Sequence, residues 1–72
     1  MMENIKVGDV IEMYNDDMTA VSGRVVEVRA YTQKVYWPES KVAEIVSVRL
    51  AGLVDDLRDF QWVVTSINGK AV

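Results

Sequence analysis

The sequence predicts an all-β domain of five short antiparallel strands, curled or closed on itself, with a short helical turn before the last strand. Three observations predict it. Short apolar runs rich in β-branched residues alternate with polar ones at a period of two. Clusters of Asn, Asp, Gly, Pro and Ser punctuate the runs. The 72 residues leave room for a single domain, 1–72.

The first run is Val7-Gly8-Asp9-Val10-Ile11-Glu12-Met13-Tyr14, closed by the turn cluster Asn15-Asp16-Asp17. The second starts near Ala20 and continues through Arg24-Val25-Val26-Glu27-Val28-Arg29-Ala30-Tyr31. There Val26, Val28 and Ala30 alternate with Glu27, Arg29 and Tyr31, and Gly23 is the expected bulge or bend. Thr32-Gln33 reads as a tight connection into a third strand, Lys34-Val35-Tyr36-Trp37, which Pro38 stops.

Residues 41–62 carry two patterns. A helix would place Ala43, Val46, Leu50, Leu53, Leu57 and Phe60 on one stripe, with Ser40 as N-cap. A strand would alternate Val46, Val48 and Leu50 with Ser47, Arg49 and Ala51. The strand is favoured, because Val42, Ile45, Val46 and Val48 suit a pleated surface and Gly52 would weaken a helix by about 1 kcal/mol. The fourth strand is therefore 43–51, the helical or 3-10 turn 53–59, and the fifth strand Phe60–Ile67. Asn68-Gly69 is a hairpin signal, with only Lys70-Ala71-Val72 to return. The stretch Ser22-Gly23-Arg24-Val25-Val26-Glu27-Val28 resembles the glycine-then-valine strand of several small barrels. The expected architecture is thus a small SH3-like barrel, with a curled sheet that dimerises as the alternative.

Composition narrows the function. The chain has no cysteine and no histidine. Disulfides and structural zinc are thereby closed off, as are thiol chemistry and histidine acid–base catalysis. Asp16-Asp17 and Asp55-Asp56, with Asp59, lack the spacing of a calcium loop and read as solvated turns, so no metal site is expected. Gly8, Gly23, Gly52 and Gly69 are scattered singly and form no phosphate-cradling loop. The expectation is a protein without cofactor and without enzymatic activity.

Half of the residues are apolar, which is more than so small an interior can hide, and a homodimer is expected. The start of the chain shows no signal-peptide h-region and no run is long enough to span a membrane, so a cytoplasmic protein is expected. The net charge is −3. Lys6 faces five acids in residues 1–23, while Arg24, Arg29, Lys34, Lys41 and Arg49 outnumber three glutamates in residues 24–49. An acidic total disfavours a general nucleic-acid binder but leaves a basic middle third.

The candidate binding residues are Arg29, Tyr31, Lys34, Tyr36, Trp37 and Arg49. Aromatic rings beside basic groups can anchor a protein partner or stack a base. Trp62 and Phe60 are assigned to the core. Neighbours on a strand point to opposite faces, so one ring of the pair Tyr36-Trp37 has to point away from the core. The leading expectation is a small interaction module that binds a protein partner or its own copy, such as a phage-type accessory or inhibitor protein. The alternative is a small barrel that binds nucleic acid or a nucleotide through the same residues.

Overall fold

Alternation of β-branched and polar residues fixes which side of each strand is buried. The computed structural model describes residues 2–72, for Glu3 only its backbone. After a 3-10 turn at Met2–Asn4 come β1 (Val10–Asn15), β2 (Ala20–Val35), β3 (Lys41–Leu50), β4 (Leu57–Arg58), β5 (Trp62–Ile67) and β6 (Lys70–Ala71). They form one antiparallel sheet in the order β4-β3-β2-β1-β5-β6, which does not close.

The all-β class and the extended course of residues 43–50 agree with the sequence reading. Three expectations are corrected. There are six strands among the described residues, because β4 and β6 are two-residue additions and the predicted second and third strands are one. Thr32-Gln33 is not a turn: β2 runs through it, with Thr32 opposite Glu44 and Gln33 opposite Ala43. Neither residue offers the positive φ of a two-residue hairpin, and β-branched Thr32 suits a strand. The chain reverses at residues 36–40, where Pro38 removes a ladder donor. Residues 53–59 form no helix but a loop entering β4. Gly52 at φ +83° turns the chain out of β3, and Asp55-Asp56 favour turn conformations over a helix interior.

β2 organises the molecule. Ala20–Arg24 pair with β1, and Val25–Val35 pair with β3. The switch is a bulge, where Val25 opposes Leu50 and Glu27 opposes Arg49. Val26 is the extra residue, so Val25 and Val28 both face inward although three apart. Val26 itself is exposed, against the alternation expected with Val28 and Ala30. Gly23 lies just before the bend, where an added Cβ would sit 3.4 Å from the Leu50 Cβ.

The core is small. Ile11 and Met13 of β1, Val25, Val48, Leu50 and Leu57 pack together, capped by Met2 and Ile5 from the N-terminal segment. Trp62, Val64 and Ile67 of β5 pack against it, half-buried. Phe60, expected in the core, is 61% exposed. It precedes β5 in a turn closed by the Gln61 N–H donating to the Arg58 carbonyl at 3.0 Å, outside the sheet that would have directed it inward.

Candidate functional site: the β2–β3 arm

Beyond the bulge β2 and β3 first stay on the body, where Val28, Val46 and Val48 pack on the core, and then leave it as a two-stranded ribbon from Tyr31 and Ile45 outward. Pairing is continuous from Glu27–Arg49 to Val35–Lys41. β1 follows β2 only as far as Arg24, and the backbone bonds Val25 N–H to Asp9 carbonyl (2.8 Å) and Gly8 N–H to Val25 carbonyl (2.9 Å) end that edge. Among the described residues, the second edge of β2 has no strand neighbour from Val26 onward. On the other side, β4 reaches Ser47 and Val48, and the Asp59 N–H donates to the Val46 carbonyl at 2.9 Å. The outer edge of β3 from Lys41 to Ile45 has no strand neighbour either.

This ribbon gives the molecule its shape. The radius of gyration is 12.6 Å, against about 11 Å for a compact chain of this length. The surface is 5289 Å², against about 4500 Å² for a compact monomer of 8.1 kDa.

The tip carries the rings. Tyr36 is 74% and Trp37 86% exposed. The sequence argument required one of them to leave the core; both do, because the turn they occupy lies beyond the reach of the body. The Lys34 Nζ stands 5.5 Å from the centroid of the Tyr36 ring, a cation–π distance.

The two faces of the arm differ. On one, Tyr31 lies opposite Ile45 and Gln33 opposite Ala43. Tyr31 is half-buried and Ile45 is buried, and Ile45 with Gln33, Val35, Ala43 and Phe60 borders a hollow of about 410 Å³. On the other, Ala30, Thr32 and Lys34 face Val46, Glu44 and Val42.

Four of the six candidate residues, Tyr31, Lys34, Tyr36 and Trp37, lie along the outer arm, Lys34 beside Tyr36 and Tyr31 on the opposite face from Lys34. Arg29 and Arg49 do not join them. They lie at its base, each beside a carboxylate: Arg29 Nη1 is 3.4 Å from Asp56 Oδ2, and Arg49 Nε is 3.8 Å from Glu27 Oε1. Arg24 pairs with Val10 on the β1 side of the bend. The bulge sets Arg24, Arg29 and Arg49 on the strand face opposite to that of Val25 and Val28, while Lys34 lies on the other face of the arm.

Sequence reasoning missed Phe60, the Ile45 hollow and the open strand edges. The edges follow from the length of β2, which the misplaced turn at Thr32-Gln33 concealed. No protein-family model, curated protein or solved structure matches this chain.

Proposed function

We propose that the protein is a non-enzymatic interaction module that binds another protein chain through its β2–β3 arm. The observation that carries this is the exposure of Tyr36 and Trp37 at the end of a ribbon whose outer part, residues 31–44, lies outside the core cluster. Large rings held clear of the body supply contact area at low conformational cost, and such rings dominate protein–protein binding energy. Open strand edges beside them offer backbone groups to an incoming strand. The strand order and the bend of β2 support reading the domain as a small SH3-like barrel left open by its arm. A cytoplasmic setting is part of the same proposal.

The nucleic-acid reading has less support. Phosphate binding needs free cations in a row, and Arg29 and Arg49 each have a carboxylate beside them.

Site-specific photo-crosslinking tests the proposal. A photoreactive residue replaces Trp37 in one sample and Val54, 91% exposed in the β3–β4 loop, in another. Position 37 should give discrete protein adducts in an extract of the source cells, and position 54 should not. Equal labelling from both positions, or a shift of labelled oligonucleotide at low salt that raised salt removes, would sink it.

A further inference from the structure

We propose that the chain that occupies the free β2 edge is a second copy of this one, its own β2 laid antiparallel about a two-fold axis through Ala30. This rests on the arm being a protein-binding surface, and goes further by naming the occupant.

The edge comes first. Ten residues, Val26–Val35, run without a neighbour on that side, a length of about 33 Å. Edges of that length are normally shortened, covered or paired. A two-stranded ribbon alone is marginal in water, and a four-stranded one is not.

Symmetry then restricts the register. Two identical strands pair antiparallel about an axis normal to the sheet. Residues directly opposite one another share a face, so the axis has to fall on a residue and not between two. The middle of the free stretch is Ala30 or Tyr31. With the axis at Ala30, a small side chain meets its own copy. Arg29 then lies across from the second copy's Tyr31, twice, in position for a cation–π contact. Val28 meets Thr32, Glu27 meets Gln33 and Val26 meets Lys34, so no like charges face each other.

The same register places the second copy's Val35 at Val25, where Gly8 and Asp9 take over the edge. The Val25 N–H and carbonyl are already bonded to Asp9 and Gly8, so the paired stretch is Val26–Lys34, and the rings at 36 and 37 arrive beside the segment that holds Val7, itself 65% exposed. One arrangement therefore covers apolar groups at both ends of the arm.

Light scattering on the full chain at micromolar concentration should give twice the 8.1 kDa chain mass. Ala30→Arg sets two like charges on the axis and should weaken association by at least about 100-fold, with the far-UV spectrum retained. The chain has no cysteine, so Ala30→Cys is a clean probe: mild oxidation should yield a covalent dimer, and Val54→Cys should not. If Ala30→Arg fails to fold, the cysteine pair decides. A monomer throughout the micromolar range overturns the inference, as does a dimer that Ala30→Cys does not lock. If position 37 still crosslinks to a different protein in the extract, only the second copy is wrong. If position 37 captures nothing, the arm's role falls as well.

Discussion

Asn68 joins two ends of the sheet through a single side chain. It has φ +52°, followed by Gly69 at +81°, the two positive values that a type I′ hairpin requires. Its backbone N–H donates to the Val10 carbonyl, its Oδ1 accepts from the Val10 N–H at 2.9 Å, and its Nδ2 donates to Asp9 Oδ1 at 3.1 Å. The turn between β5 and β6 is thereby tied to the start of β1. Asn68→Ala removes both side-chain bonds and strains the turn, and should lower the unfolding free energy by about 1–3 kcal/mol in a denaturant titration. Asn68→Gly keeps the backbone shape and should cost less. The Asn-Gly turn was legible in the sequence, because few other pairs tolerate two positive φ values. Its tie to Asp9 was not, since a contact across 59 residues leaves no local pattern. Asp9 adds a pH dependence. The Lys6 backbone N–H at 2.9 Å, and then the Asn68 amide, hold its carboxyl below its ordinary value of 3.8. A depressed folded-state pKa stabilises the fold above the unfolded-state value, and that stabilisation is lost as pH falls through the folded-state value. The denaturation midpoint should therefore drop as pH goes below about 4, and Asp9→Asn should flatten that drop.

Among the elements, β1 and the arm differ in what they hold together. Ile11 and Met13 of β1 have no exposed surface and lie between β2 and β5. Truncating either to alanine should cost about 2–5 kcal/mol, a large part of the stability of a chain this short. Tyr36→Ser with Trp37→Ser should change stability by less than about 0.5 kcal/mol in dilute solution, because those rings touch little of their own chain. Equal losses from the two changes would show that the rings pack onto the body. Most of the strands were legible, because alternation of apolar with polar residues survives in β3 and in the middle of β2. The fusion of two expected strands into β2 was not. A strand leaving the body is no longer half-buried, so its sequence drifts toward polar residues such as Thr32, Gln33 and Lys34 and imitates a turn. The same drift concealed the open edges, and the rings at 36 and 37 were legible only in part: alternation on a strand put one of them outside the core, and both are outside because they lie in the turn after β2.

On the scale of the whole molecule, the sheet divides into a body that folds on itself and an arm that extends 16-residue β2 beyond it. The body buries few large side chains, and no disulfide supplements it. Such a chain gains stability from anything that binds its native state and not its unfolded one. If the arms pair across a two-fold axis, unfolding separates two chains, and each tenfold rise in protein concentration adds about 1.4 kcal/mol per dimer against it. The thermal midpoint of the natural chain should climb between 1 and 100 μM, on the order of the range where such pairing is populated. The Ala30→Arg midpoint should stay level, because that variant has only its own body to unfold. A flat midpoint for both chains would mean that the arm contributes nothing to stability through a second copy, and would leave its rings free for a different protein.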